Sequence, residues 1–186
     1  ALQRAGVNVY GYFPFLASYY QGLTLHGVLN ALVFTTFFIC GFLLYLPAKE
    51  LGLRFNLTWV WSAYALMLGG LVMAGVAIAA NTSSVLYTFY PPLQGHWGFY
   101  AGLALVVVGS LMVGGEVIRL RQAWRKAHPG EVTPIVTYMS VVTWSLWALA
   151  SMGIVVEVVF FLLPWSLGWT EGVDPLLART LFWYTG

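Results

Sequence analysis

Charge is what this chain lacks. Only 8% of its 186 residues are Asp, Glu, Lys or Arg, against about 25% in an ordinary soluble domain. Six acidic and eight basic side chains are too few to cover a soluble domain of this size, so that class is excluded. Disorder is excluded as well, because disordered chains are rich in charge and poor in apolar residues. The net charge of +2 is small and scattered, which does not fit a nucleic-acid-binding protein. A single cysteine, Cys40, leaves no disulfide framework and no multi-cysteine metal site. There is no Ser-His-Asp set, phosphate-binding loop or metalloprotease motif. The chain does not open with Met, nor with a basic stretch, a short apolar core and a cleavage site, so no signal peptide is expected.

What is present is apolar. Hydrophobic residues make up 60% of the chain, with 9 Trp, 11 Tyr and 12 Phe, and the mean hydropathy is +0.81. An integral membrane protein is the class that remains. A spanning helix needs roughly 20 apolar residues for a hydrocarbon core of about 30 Å. No charged residue lies between Arg4 and Lys49, between Arg54 and Glu116, or from Val132 to Val156. The middle gap, 61 residues long, must hold more than one span. The apolar runs are continuous, unlike the alternating strands of about 10 residues in a membrane barrel.

The expected fold is therefore all-α, a polytopic transmembrane bundle of four full spans and the start of a fifth, with residues 1–186 as one partial domain. The spans are read at about 18–46, 57–80, 96–124 and 133–163, with Pro47 and Pro164 as stops. Between the second and third, the run Asn81–Gly95 carries turn chemistry: Asn81, Thr82, Ser83, Ser84, Pro91, Pro92 and Gly95. Residues 174–186 open another helix, with Asp174 as N-cap and Pro175 in its first turn. Lys49, Arg54, Arg119, Arg121, Arg125 and Lys126 fall in the loops on one side, which the positive-inside rule places in the cytoplasm. The first helix then starts outside. Bacterial multispan proteins usually start inside, so an earlier helix is expected before it. Trp59 and Trp61 on one side, and Trp97, Trp165 and Trp169 on the other, fit interfacial belts. The small-residue pairs Gly98/Gly102 and Gly27/Ala31 are read as ordinary helix packing.

Ionisable groups inside a membrane are functional candidates by default. His26 lies about eight residues, or about 12 Å, inside the outer end of the first span. Gly22, His26 and Asn30 follow at i, i+4 and i+8 and share one face. Gly22 removes a side chain where something bulky would approach the imidazole. Two readings stay open: an axial haem ligand, or a histidine hydrogen-bonded to a neighbouring helix. Glu157, near the outer end of the fourth span, is read as interfacial with a possible place on a proton path. Glu116, three residues before Arg119, has the spacing of a surface ion pair. His96 and His128 read as solvated, and Tyr87-Thr88-Phe89-Tyr90 as interface anchors or the cover of a cofactor edge.

Four stretches then carry a resemblance. Tyr19-Tyr20-Gln21-Gly22-Leu23-Thr24-Leu25-His26-Gly27-Val28-Leu29-Asn30 resembles the second helix of subunit I of the haem–copper oxygen reductases, in particular the ba-type, or B-family, branch. In the same order follow Leu86-Tyr87-Thr88-Phe89-Tyr90-Pro91-Pro92-Leu93 with Gly95-His96-Trp97, and Val132-Thr133-Pro134 with Thr137-Tyr138-Met139. The last is Leu162-Leu163-Pro164-Trp165-Ser166 with Glu171-Gly172-Val173-Asp174-Pro175-Leu176, running on through Ala178-Arg179-Thr180-Leu181-Phe182-Trp183. The resemblance covers about Tyr19 to Gly186 and corresponds to the second helix through the start of the sixth.

It implies a respiratory terminal oxidase, a cytochrome c oxidase that reduces dioxygen to water with electrons from cytochrome c and translocates protons. It implies that His26 ligates a low-spin haem b whose second histidine lies on a much later helix, with Gly22 and Asn30 in the haem surroundings. Tyr87, Trp183 and Thr185 are implied to border the dioxygen route. The high-spin haem and copper belong to the intact subunit. Their ligands are not among these residues, the first copper histidine being expected directly after Gly186. The 186 residues alone are thus expected to be inactive. Implied partners are the remainder of subunit I, a subunit II carrying a copper centre, cytochrome c, dioxygen and lipid, in the plasma membrane of a prokaryote. A nitric oxide reductase of the same superfamily, a non-catalytic haem-binding anchor and part of a transporter are the competing readings.

Overall fold

The computed structural model describes residues 16–184. Four helices there are long and apolar enough to cross a membrane: α1 (Tyr19–Leu51), α2 (Leu57–Ala79), α3 (Trp97–Ala127) and α4 (Ile135–Ser166). A short α5 (Pro175–Trp183) follows. The connections after α1 and α3 are short, so successive spans run antiparallel. Lys49 and Arg54 thereby share one end of the bundle with Arg121, Arg125 and Lys126, while Glu171 and Asp174 lie at the other.

Polar side chains at the ends explain where the helices start. Ser18 caps α1 by accepting from Gln21 N–H, 3.1 Å, and Asn56 caps α2 by accepting from Trp59 N–H, 3.2 Å. Asp174 caps α5 by accepting from Leu176 N–H, 2.8 Å, with Pro175 in the first turn, as the sequence anticipates. Each satisfies a backbone donor that the helix itself leaves unpaired. The two proline stops fall elsewhere. α1 runs through Pro47 and ends at Gly52, whose φ of 64° makes the left-handed cap. α4 runs through Pro164, which sits in the first turn of an α-helical segment resumed after a π-helical one, where a missing N–H costs little. Both long spans contain such a widened turn: Val28–Phe34 in α1 and Glu157–Leu162 in α4.

α2 against α3 is the most extensive helix contact. Its seam is built from Ala63, Met67, Gly70, Ala74 and Ala77 on α2, facing Gly102, Leu103, Val106 and Gly109 on α3. Without hydrophobic exclusion by water, membrane helices associate through close packing, and small residues allow it. Gly102 meets Gly70 and Ala74 across this seam, whereas the space beside Gly98 is filled by its own His96. Gly27 does not face a helix: Tyr87 from the α2–α3 loop lies on it. Two apolar clusters result. One, at the outer end, joins Val28, Ile78, Phe89, Phe99, Tyr100, Leu162 and Phe182. The other, toward the cytoplasmic end, joins Cys40, Leu44, Met67, Val113, Leu120 and Trp144.

Candidate functional site: the outer half of α1

The buried face of α1 is polar at its outer end. Gln21, 1% exposed, donates from Nε2 to the carbonyls of Ile78 (2.8 Å) and Ala79 (3.2 Å), and its Oε1 accepts from Ala17 N–H at 2.6 Å. Thr24 donates to Tyr20 O at 2.7 Å and accepts from Leu86 N–H at 2.8 Å. The last carbonyls of α2 and a loop amide thereby find partners on α1. Unpaired, such groups in a lipid-facing bundle cost several kcal/mol, roughly, apiece. With Val28, these residues lock one face of α1 inward.

That locking decides where His26 points. It lies on the opposite face, exposed, as do Leu23, Leu29 and Asn30. Exposed aromatics continue the face as a stacked ladder toward the cytoplasm: Phe34 on Phe38 (6.2 Å between ring centroids) and Phe38 on Phe42 (5.6 Å). One turn outward from His26, a Cβ on Gly22 would meet only Leu16, at 3.9 Å. Nothing among the described residues requires glycine there, and the space beside the imidazole is open. One turn inward, Asn30 Nδ2 lies 3.2 Å from His26 Nδ1 and donates to the His26 carbonyl at 2.8 Å. The π-helical turn begins at Val28, and Thr35 Oγ1 donates back to Asn30 O at 3.1 Å. Isolated π turns recur at functional sites because they displace the side chains around them. Gly22, His26 and Asn30 thus do share one face, and that face is left unpacked by the other described residues.

A haem fits this arrangement on the residues' own chemistry: an imidazole that no neighbouring helix engages among the described residues, a position open to a flat macrocycle, and an amide on the second ring nitrogen. His26 and the two other histidines differ plainly. His96 is the N-cap of α3, its Nδ1 accepting from Gly98 N–H at 3.1 Å. His128 closes α3 and stacks on Trp124 at 4.5 Å. Both are at bundle ends. No group of three or more His, Cys, Asp or Glu that could hold a metal ion occurs among the described residues.

The α2–α3 loop covers the same end. Its hydrogen bonds include His96 N–H to Thr82 O (3.0 Å) and Gly95 N–H to the Tyr100 hydroxyl (3.0 Å). Leu86 and Phe89 adopt left-handed φ of 65° and 40°, a conformation disfavoured for bulky residues and held only by surrounding packing. Phe89 is 1% exposed and lies edge-on to Phe182 at 5.2 Å, so it is core rather than an interface anchor. Tyr87 is half exposed beside Gly27, and Trp183 is half exposed at the end of α5, edge-on to Phe182 at 5.3 Å. Tyr90 stands between them. Burial raises its phenol above the ordinary range, with the neighbouring Trp183 side chain and the Arg179 charge acting the other way. Thr185 lies outside the described residues.

Two glutamates depart from their sequence reading. Glu116 is not a surface group: it is 2% exposed, holds Arg119 through both oxygens (2.6 and 2.7 Å), and accepts from Asn56 N–H at 2.6 Å. It is buried because the start of α2 packs over it and needs an acceptor there. Glu157 is fully buried rather than interfacial. Glu50, unremarked in the sequence, accepts from Val136 N–H (3.1 Å), Thr137 N–H (2.7 Å) and Thr137 Oγ1 (2.7 Å). It does the capping that Pro134 cannot.

The fold has close counterparts. The family described as cytochrome C and quinol oxidase polypeptide I matches residues 1–186. A protein of Thermus thermophilus named cytochrome c oxidase subunit 1 is 56% identical over 173 residues, which is 93% of this chain and 31% of that relative. The chain thus spans about a third of the length of the curated relative it matches. A chain of a heme-copper terminal oxidase dimer, solved by cryo-electron microscopy, superposes with a TM-score of 0.88 at 42% identity, covering 91% of this chain and 29% of that one. A four-span bundle with a single deep histidine on its open face, matched along its entire length, belongs to the cytochrome c and quinol oxidase polypeptide I family of haem–copper oxidases.

Proposed function

We propose that these residues are the part of a B-family oxidase catalytic subunit that supplies one axial imidazole, His26, to a low-spin haem b. The observation that carries the reading is the open face of α1, where His26 is exposed with Gly22 beside it and Asn30 on its Nδ1. A haem held there supplies one-electron transfer. The chain's own contribution is position. Gln21, through the Ile78 carbonyl, and Thr24, through the Leu86 amide, pin α1 so that the imidazole faces outward from this bundle, toward the remainder of the subunit. Binding iron through Nε2 requires the proton on Nδ1. The Asn30 amide must then offer its oxygen to Nδ1–H, a half-turn of the side chain from the contact described above. Gly22 leaves room for the macrocycle. A depth of about 12 Å sets the group near the outer surface, within reach of an external donor.

The second haem ligand, the high-spin haem and copper are assigned to the remainder of subunit I. In the intact protein the activity is dioxygen reduction to water with electrons from cytochrome c through a copper-bearing subunit II, coupled to proton translocation, in a prokaryotic plasma membrane. Tyr87 and Trp183, both half exposed beside Tyr90, are assigned with Thr185 to the border of the dioxygen route. The test is His26→Ala in the full-length subunit. The reduced-minus-oxidised haem b spectrum and dioxygen consumption are expected to vanish while the bundle still inserts. An unchanged spectrum would overturn the assignment.

A further inference from the structure

Two cations at the basic end of the bundle pair with no acid among the described residues. Lys49 and Arg54 flank the short α1–α2 connection, and both are exposed. The acids at this end are engaged elsewhere. Glu50 caps the start of α4 through Val136 and Thr137, and Glu116 holds Arg119 and the Asn56 amide. Glu131 lines a separate cavity with Arg121 and Arg125. The connection itself is fixed: Leu53 N–H donates to Ala48 O at 3.0 Å, and the Arg54 carbonyl accepts from Arg119 Nη2 at 3.4 Å. Lys49 and Arg54 thus stand on a held backbone, at a cavity of about 530 Å³ that Tyr45, Phe55 and Leu57 also line.

Deeper in, the two helices part, because this half of α1 packs on α3 and α4 rather than on α2. A second cavity of about 220 Å³ lies between them, with Leu44, Met67 and Val113 of α3 buried behind it. Phe37 and Tyr64, edge-on at 6.2 Å, stand at its inner end. It continues the faces of the first cavity: Gly41 and Tyr45, Leu44 and Ala48, and Val60 and Tyr64 are four residues apart, and Leu57 and Val60 three. A Cβ on Gly41 would meet nothing within 4 Å among the described residues, so glycine keeps this groove wide. Along α1, Ala48 to Phe37 is about 17 Å, the depth of one leaflet of a hydrocarbon core of about 30 Å.

Cations at the interface above an apolar groove one leaflet deep complement one kind of molecule. A protein helix seated in the groove would leave both cations without an anion. Free phosphate would meet the cations and leave the groove unfilled. A lipid with a net negative headgroup satisfies both, and basic pockets between spanning helices bind such headgroups. We propose that the α1–α2 crevice binds an anionic phospholipid, its phosphate between Lys49 and Arg54 and one acyl chain in the groove over Gly41. This assignment is independent of what His26 binds.

The test titrates the intact complex in detergent with dioleoyl-phosphatidylglycerol, dioleoyl-phosphatidylcholine or inorganic phosphate. Native mass spectrometry reads binding, and the thermal unfolding midpoint rises with any ligand of the native state. Phosphatidylglycerol is expected to bind more tightly than phosphatidylcholine and to raise the midpoint further. Lys49→Gln combined with Arg54→Gln is expected to weaken phosphatidylglycerol binding about thirtyfold, about fivefold per cation. Gly41→Leu keeps both charges, fills the groove and is expected to weaken it as well. Equal binding of the two lipids by the wild type overturns the proposal, as does phosphatidylglycerol binding that neither variant changes. The full midpoint rise with inorganic phosphate alone marks an anion site without a chain and overturns it too. So does a density map of the complex with a protein helix seated in the groove.

Discussion

Two alanine substitutions five residues apart on α2 separate seam packing from helix propensity. A Cβ on Gly70 would press on the Gly102 carbonyl and come within 2.9 Å of Leu105 Cβ and 3.1 Å of Val106 N. These are backbone and Cβ atoms, which cannot swing aside, so α2 and α3 must move apart along their whole seam. A Cβ on Gly75 meets nothing within 4 Å among the described residues. Both changes gain the same helix propensity, about 1 kcal/mol. Their difference is therefore the overpacking cost, about 1–3 kcal/mol. Gly70→Ala is expected to be destabilised and Gly75→Ala unchanged or slightly stabilised, a separation of roughly 5- to 150-fold in the unfolding constant. Detergent-driven unfolding of the intact subunit, followed by Trp fluorescence, reads it. Equal shifts for the two variants would refute the reasoning that this seam is the tightest contact of the bundle.

The cytoplasmic ends offer further checks. Glu50→Ala removes three hydrogen bonds to the start of α4 and is expected to cost about 1–2 kcal/mol, as for loss of an N-cap, measured by the same unfolding assay. Arg119→Leu is expected to be worse than Glu116→Gln. The first strands a carboxylate that is 2% exposed, whereas the second frees an Arg side chain that is 48% exposed and can turn to water. The reverse order in unfolding midpoints would contradict the burial assigned to Glu116. In a Cys40→Ser background, Glu131→Cys and Gly172→Cys are expected to react with a membrane-impermeant thiol reagent from opposite faces only. Labelling of both from one side would show that the helix count is wrong.

Much of this was legible in the sequence, for reasons that can be traced. Spans follow from uncharged runs, and these are local: the gap from Arg54 to Glu116 holds α2, a turn and most of α3, as its length requires. The gathering of Lys49, Arg54, Arg121, Arg125 and Lys126 at one end of the bundle follows from where Lys and Arg fall between the spans, also counted locally. Gly22, His26 and Asn30 fall on one face because helix periodicity carries across a single π turn begun at Val28. What the sequence hides is partnership across distance. Glu50 caps a helix that starts 85 residues later, and nothing near it in sequence marks it. Nothing near Gln21 in sequence marks it as buried, and it is buried because α2 ends where its carbonyls need donors. The spacing of Glu116 and Arg119 predicts their pairing but not the loop residue Asn56 that covers them. Pro47 and Pro164 look alike as stops, yet the helices pass through both: Pro164 stands in the first turn resumed after a π turn, where its missing N–H costs little, and Pro47 lies four residues before Leu51, the last residue of α1.

The most direct test of the central claim is a density map of the intact, haem-loaded subunit in its complex. The account predicts that His26 Nε2 coordinates a haem iron, that the macrocycle lies over Gly22, and that the Asn30 amide oxygen faces Nδ1–H. A map in which His26 is instead hydrogen-bonded to a neighbouring helix, with the space over Gly22 filled by side chains, would contradict it.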